Sequence, residues 1–534
     1  MLNKSFKGKI KNNFYFLYPF FVSIFPILSF FNYNKQELSV RIITTPLLLS
    51  LAFAGVLLLA SYLILRNRAK ASVITTFLIL VFFSWGHVNK FLFDRLSLDS
   101  TTFFKIEPPK FLALLVLAGT IFGVVKVAKS KRNFFSINQI LGLAFFFLVA
   151  LLVIQITIYE ARTGQNGGEM GTQSDEGSAA TPEDTVEKPD IYYLILDAYA
   201  REDFLNDLYS YDNSEFINFL ESEGFYVASK SNSNYAHTFF SLASSLNLDY
   251  VNSLSETLGV ESKDVSLPSQ MIEANKVVFF LKPRGYKIIN FPSGVDATHQ
   301  NSYADIDFRE GSLFTLFGKE IDLDEFYLVF LQTTMLSPFI QDRLADEVRT
   351  RILYTFDKLG EIPYIRGPKF VMAHIIIPHP PYLFDENGKP VPNAKLNLVG
   401  EFEDRENYLN QLIFATKKIK VTIEKIIERS SQSPIIILQS DHGPASILGH
   451  PHFWARPHNQ EGIKERMGIL NAYRLPGYSG ERLYNSITPV NTFRLIFNEY
   501  FGQNYELLED KSYFSDYKNL YEFFDVTDLV NTQD

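Results

Sequence analysis

Four places in the 534-residue sequence carry side chains able to bind a divalent cation or to attack phosphorus. Asp197 follows the apolar run IYYLIL, and His374 stands inside FVMAHIII with His379 just beyond it in PHPPY. Asp441 and His442 follow PIIILQ in the motif SDHGP. Carboxylates and imidazoles converging at one sheet edge make a divalent-metal site, most simply for zinc or manganese. The fourth place is SNSNYAHTFFSLASS, where a Ser- and Asn-rich loop meets a helix-like stretch at about Thr238. A hydroxyl at a helix N-terminus feels the positive end of the dipole, and neighbouring N–H groups can hold a phosphate. Beside a metal ion, such a hydroxyl becomes a nucleophile near neutral pH. Each place alone has a plainer reading. A strand-terminal Asp is often a helix cap, Thr238 can cap its own helix, and His374 in mid-strand can be a satisfied core histidine.

These residues need a scaffold that brings them together. Ile191–Leu196, Lys287–Phe291, Phe370–Ile377 and Pro434–Gln439 read as buried strands, because near-continuous apolar runs suit a parallel sheet covered on both faces. The periodicity of Asn407–Arg429 predicts a helix, with Leu409, Leu412, Ile413, Ile419, Ile423 and Ile427 as its apolar positions. Strands alternating with helices predict an α/β sandwich over residues 190–534, with chemistry at the carboxyl ends of its strands. Residues 465–477 and 487–502 are assigned to the sheet edge and a closing helix. Arg201, one turn beyond Asp197, is read as pairing with a surface acid.

Residues 1–159 have a different character. Five long apolar runs, Asn13–Phe31, Ile42–Leu65, Ala71–Val88, Phe111–Val125 and Ile140–Tyr159, predict a five-span helical membrane domain. The fourth run is short and is expected to extend back to Pro108 or past Lys126. Basic residues cluster before the first run, between the second and third (Arg66, Arg68, Lys70) and between the fourth and fifth (Lys126, Lys129, Lys131, Arg132). By the positive-inside rule these segments and the N-terminus are cytoplasmic, and an odd number of spans puts the C-terminal half outside the cytoplasm. His87, beside Trp85, is read as an interfacial polar tip. Residues 160–189, rich in Gly, Ser, Thr and acid, predict a flexible polar linker.

Composition removes several function classes. The chain has no cysteine, which excludes a thiolate nucleophile, a disulfide and a Cys-based zinc site. Its formal net charge of −9 argues against nucleic acid as a partner.

Asp197, the Thr238 segment, the His374–His379 pair and SDHG stand in the order found in the alkaline phosphatase superfamily. The chain resembles the membrane-anchored, sulfatase-like branch that includes phosphoethanolamine transferases and lipoteichoic acid synthase. Thr238-Phe-Phe-Ser241-Leu-Ala-Ser244 keeps the register around the transferases' nucleophilic Thr, and His374 with His379-Pro-Pro381 matches their paired histidines. The resemblance implies a fold of alkaline-phosphatase/sulfatase type and a principal metal held by Asp197, Thr238, Asp441 and His442. It further implies Thr238 as the nucleophile, with His379 and His374 contacting the phosphoryl group, protonating the leaving oxygen or holding a second metal. The sequence departs from the pattern in two places. Asp197 stands where the transferases commonly carry Glu, although the hydrolase members use Asp. After SDHG, the register of a further histidine is ambiguous among His450, His452 and His458.

The function expected on this basis is a membrane-integral transferase. It would move a phospho-alcohol group, of phosphoethanolamine or phosphoglycerol type, from a membrane phospholipid to an envelope glycan or lipid through a phospho-threonine. The alternative is an extracytoplasmic hydrolase of phosphate mono- or diesters using the same residues, which Asp197 in place of Glu favours. A sulfatase proper is disfavoured, because no C/S-x-P/A-x-R sequence is available to yield a formylglycine. A degenerate polymer- or protein-binding domain and a transporter are weaker readings.

Overall fold

Apolar periodicity and chain length dictate two separate bodies, and a computed structural model of the chain divides in that way. It describes residues 16–36, 38–96, 108–170, 188–310, 315–316, 319–320, 323–392, 394, 396, 402–449, 454, 459–478 and 480–532. One unit comprises Met1–Gln173 together with Phe326–Gln341; the other comprises Ser174–Glu325 and Asp342–Asp534.

The first unit is helical. Its helices α1 (Tyr18–Asn34), α2 (Thr44–Leu65), α3 (Arg68–Leu96), α4 (Pro108–Lys129) and α5 (Phe135–Met170) answer to the five apolar runs. Four segments are long and apolar enough to cross a membrane: Val40–Leu65, Arg68–Asn89, Pro109–Lys129 and Phe135–Ala161. The fourth run extends at both ends, as expected. The first run is the exception: α1 has 17 residues, contains Pro26 and buries Tyr18, Val22, Ile27 and Phe31 among its neighbours. Among the described residues four helices are therefore of membrane length, and a fifth span is not established. Helix α5 continues to Met170, into the stretch expected to be linker.

The second unit is built on a seven-stranded sheet. Its strands are β1 (Ile191–Leu196), β2 (Phe225–Val227), β3 (Lys287–Phe291), β4 (Ile306–Asp307), β5 (Lys369–Ile375), β6 (Ile435–Gln439) and β7 (Asn471–Arg474). Their spatial order is β2-β7-β6-β1-β5-β3-β4. The central strand β1 pairs in parallel with β5 on one side and β6 on the other, Ile195 lying opposite both His374 and Gln439. Strand β7 runs antiparallel to both its neighbours, β6 and β2. Every residue of β1, β5 and β6 is buried, which explains their largely apolar character; Lys369, His374 and Gln439 are the polar exceptions.

Helix α6 (Thr238–Asn247) packs Phe240, Leu242, Ala243 and Leu246 into one core with Ile191, Tyr193 and Ile195 of β1. Burial of such side chains stabilises by about 1.5–3 kcal/mol each, so α6 is held on the sheet by its body and its first turn is left free for chemistry. Helix α7 (Glu325–Gln332) and the start of α8 (Ser337–Leu359) belong to the first unit apart from Glu325; the rest of α8 lies in the second, with α9 (Arg405–Arg429) and α10 (Thr492–Phe501). The expected helix 407–429 and the closing helix are both present. Residues 465–477 supply β7, one strand in from the sheet edge.

Candidate metal centre

The site forms where β1, β5 and β6 end side by side. Asp197 follows the last residue of β1, and its N–H donates to the Ile375 carbonyl at 3.1 Å. The next residue, Ala198, has φ +61°, a left-handed conformation costing a non-glycine residue roughly 1–2 kcal/mol. Tyr408 of α9 holds that turn by donating its hydroxyl to the Ala198 carbonyl at 2.9 Å. Gln411, one turn further along α9, donates to the His379 carbonyl at 3.0 Å and accepts from the Leu383 and Phe384 amides. A single helix thus fixes the loops that leave β1 and β5.

The SDHG turn after β6 is held from the other side. Ser233 and Ser241 both donate hydroxyls to the Asp441 carbonyl, at 2.5 and 2.7 Å. Gly443 is required here by close backbone approach. A Cβ on it would lie 2.1 Å from the Glu465 carbonyl oxygen and 2.7 Å from that of Gly468. The same serines tie the SNSN loop and α6 to Asp441, which brings Thr238 to the site.

Ligand atoms of Asp197, His374 and Asp441 all lie within 4.8 Å of one another, and all three residues are buried. His374 Nε2 is 3.4 Å from Asp197 Oδ2. His442 Nε2 is 3.2 Å from Asp441 Oδ2 and 3.7 Å from Asp197 Oδ1. Asp197 Oδ1, His374 Nε2 and Asp441 Oδ2 are buried atoms with no hydrogen-bond partner. Buried polar groups are ordinarily satisfied, and an unpaired one costs about 1–3 kcal/mol. Three such atoms, two of them carboxylate oxygens, on residues whose ligand atoms lie within 4.8 Å of one another, fit a divalent cation by proximity and by charge.

The histidines share an orientation that serves this. His442 Nδ1 lies 3.1 Å from the Gly443 carbonyl and His379 Nδ1 lies 2.5 Å from the Pro380 carbonyl. A carbonyl only accepts, so both Nδ1 atoms carry the proton and both Nε2 lone pairs are left available in the neutral rings. His374 Nδ1 is paired with the Thr298 hydroxyl at 2.8 Å, which leaves its Nε2 facing Asp197. Outer partners of this kind fix ring orientation and tautomer in metal sites.

Thr238 is the first residue of α6, and His237 occupies the cap position. The reading of Thr238 as a cap is therefore replaced: its Oγ1 lies 3.1 Å from His442 Nε2. Thr238 is also partly exposed, whereas the residues before it, 231–237, are buried.

The electrostatics follow from crowding. Burial alone would raise the Asp197 carboxyl, but His379, His374 and His442 outweigh it and hold Asp197 below the usual carboxylate range. Asp441 is pushed up to about 7 by burial and by the charge of Asp197. His442 is driven well below its ordinary value by burial and by Arg466. One face of this pocket repels a second negative charge, and it relaxes only with a proton or a cation between the carboxylates.

Two site-lining residues were not visible in the sequence. Thr298, on a short helical turn after β3, is one. Arg466 is the other: fully enclosed, it donates from Nε to the Ala236 carbonyl at 2.9 Å and from Nη1 to the Gly443 carbonyl at 3.0 Å. It therefore ties the turn before Thr238 to the turn after His442. In the sequence it is one of three consecutive charged residues, Lys464, Glu465 and Arg466, with nothing to single it out. Arg201 pairs with Asp203 at 2.8 Å, as expected, and with Ser231 and Asn232. His379 is partly buried, its ring 6.3 Å from that of His442. His450, His452 and His458 lie outside the described residues.

No protein-family model matches the sequence, and no curated protein matches it. Solved structures do. The chain is similar to the zinc-complexed C-terminal periplasmic domain of EcEptC from Escherichia coli, at 13% identity and a TM-score of 0.40, over 64% of this chain and 94% of that one. It is also similar to the C-terminal periplasmic domain of phosphoethanolamine transferase EptC from Campylobacter jejuni, at 16% identity and a TM-score of 0.35, over 62% and 94%. A putative sulfatase from Bacteroides thetaiotaomicron matches at 11% identity and a TM-score of 0.38, over 60% and 72%.

Proposed function

We propose that the chain is a membrane-integral, metal-dependent enzyme of the sulfatase-like branch of the alkaline phosphatase superfamily. In this reading it transfers a phospho-alcohol group from a membrane phospholipid to an envelope glycan or lipid. The observation that supports the proposal is a partly exposed Thr238 whose hydroxyl lies 3.1 Å from His442 Nε2, together with the buried, unpartnered side-chain atoms of Asp197, His374 and Asp441.

Asp197, His374, Asp441 and His442 would hold a zinc or manganese ion, with Thr238 at its open side. When bound, the ion supplies charge neutralisation for the phosphoryl oxygens and lowers the pKa of a hydroxyl beside it. The protein's own groups do the rest. Thr238 Oγ1 attacks phosphorus of the donor diester, the bond to the diacylglycerol oxygen breaks, and the phospho-alcohol group stays on Thr238. The lipid alkoxide leaves poorly unless protonated; in this reading Thr238 sheds its proton to solvent before the attack, and His379, once it has taken up a second proton at Nε2, would pass one to the leaving oxygen. The acceptor hydroxyl then attacks phosphorus, the bond to Thr238 Oγ1 breaks, and the hydroxyl is regenerated. Preorganisation by Ser233, Ser241 and Arg466 keeps the reacting atoms aligned, the main contribution a protein makes to phosphoryl transfer.

The basic loops on one side of the helical unit support a plasma membrane location with a cytoplasmic N-terminus and an extracytoplasmic catalytic unit. Residues 160–189 would then serve as the tether between the two. Mass spectrometry of the Thr238 peptide, from protein purified out of its native membrane, tests the chemistry. An adduct of phosphoethanolamine or glycerophosphate mass is expected on Thr238. An unmodified Thr238 with phosphate released only to water would replace transfer by hydrolysis.

A further inference from the structure

One stretch of the C-terminal sequence lies in the membrane unit. Residues 326–341, FYLVFLQTTMLSPFIQ, contain no charged side chain, although Glu325 and Asp342 flank them directly. Phe326 and Phe330 are buried in one apolar cluster with Tyr18, Val22 and Phe31 of α1 and Ile79 and Phe83 of α3. Ring centroids of Phe30 and Phe326 are 5.3 Å apart, and those of Phe83 and Phe330 are 5.7 Å apart.

The turn between α7 and α8 is joined to α3 through the backbone. The Gly86 N–H donates to the Thr333 carbonyl at 2.8 Å, and the Met335 N–H donates to the Phe82 carbonyl at 2.9 Å. Gly86 permits this approach, since a Cβ there would lie 2.7 Å from Thr333 Cα. The Thr333 and Thr334 hydroxyls turn back onto the Phe330 and Leu331 carbonyls, both at 2.7 Å. Non-helical backbone at membrane depth is tolerated only where its polar groups are satisfied by protein, and this turn meets that condition. Phe82–Gly86 lies roughly 21–27 Å along α3 from Arg68, at about 1.5 Å per residue, which puts it in the outer half of a core about 30 Å thick. Beyond the turn, Leu336 and Phe339 present large apolar side chains, 44% and 59% exposed, with no protein covering them.

We propose that residues 326–341 form a re-entrant membrane hairpin whose outer face, Leu336 and Phe339, contacts the acyl chains of the extracytoplasmic leaflet. The C-terminal half would thereby enter the bilayer a second time, in addition to its attachment through the linker. A sixteen-residue stretch is too short to span twice but long enough to dip and return. This inference rests on the membrane reading of the helical unit.

Because the chain has no cysteine, single-cysteine variants report one position each. The test is the labelling rate of Leu336→Cys and Phe339→Cys by a membrane-impermeant maleimide, in right-side-out membrane vesicles of the full-length protein. Exposed Glu424→Cys is the aqueous reference and exposed Leu115→Cys on α4 the lipid reference. Both hairpin positions should label at least about tenfold more slowly than Glu424→Cys and at a rate close to Leu115→Cys. All four should label equally once denatured in SDS. Labelling of 336 and 339 at the aqueous rate, with Leu115→Cys still protected, would overturn the hairpin alone. Rapid labelling of Leu115→Cys as well would overturn the membrane reading on which it rests.

Discussion

Asp197, His374 and Asp441 supply the converging ligand atoms, while Thr238 meets them through His442 and from the accessible side. In the proposed mechanism binding and attack reside in different side chains, so they should separate by mutation. Thr238→Ala is expected to lower turnover by at least about 10³-fold, the scale of losing an activated nucleophile, while most of the metal content by mass-spectrometric assay is kept. Asp441→Asn should instead lose most of the metal along with activity. Metal loss in Thr238→Ala equal to that in Asp441→Asn would make Thr238 a principal ligand. At this scale the sequence was readable where a polar residue follows an unbroken apolar strand, as with Asp197 and Asp441. His374 was ambiguous because a mid-strand histidine looks the same in a dry core; its unpartnered Nε2 appears only with the neighbouring strand in place. Thr298 and Arg466 left no local signal, because each becomes relevant through partners more than twenty residues away.

The elements holding these residues were legible in proportion to their length and burial. Strands β1 and β3 have the bounds their apolar runs predict, and β5 and β6 differ by one or two residues. β2, β4 and β7 have two to four residues each, too few for a period to declare itself, and β4 and β7 exist through pairing with longer strands. The helical unit shows the converse limit: hydropathy finds α1 but cannot say whether 17 residues interrupted by Pro26 cross a bilayer. Within the catalytic unit the tightest element is the turn after β6. Gly443→Ala would place a methyl group 2.1 Å from the Glu465 carbonyl, where only backbone can give way. The expected cost is about 2–4 kcal/mol, seen as a lower melting temperature, together with reduced turnover as Asp441 and His442 shift. Wild-type stability and rate in that variant would show that the 443–468 contact does not constrain the site.

For the molecule as a whole, the proposed metal centre would couple folding to pH. Asp441 is held up to about 7 by burial and by Asp197, and His374 is raised above its ordinary value because the adjacent Asp197 carboxylate outweighs burial. Without metal, the folded chain therefore retains protons on these groups in a range where the unfolded chain has already released Asp441's. Their contribution to apo stability is present at low pH and is lost as pH rises through the folded values. A bound cation replaces those protons, so its affinity rises over the same interval. His237, brought down to about 3 by burial and by Arg466, stays neutral with or without metal and cancels from the comparison. The difference in melting temperature between metal-loaded and chelator-stripped protein should thus widen from pH 5.5 to pH 8. At metal concentrations near 100 times the dissociation constant, the gain is about 2.7 kcal/mol, or a shift on the order of 5 °C. Asp441→Asn removes the group whose proton competes with the metal, and in that variant the shift should be small and nearly independent of pH. A wild-type difference that is flat across this range would mean that Asp441 and His374 do not carry the cation.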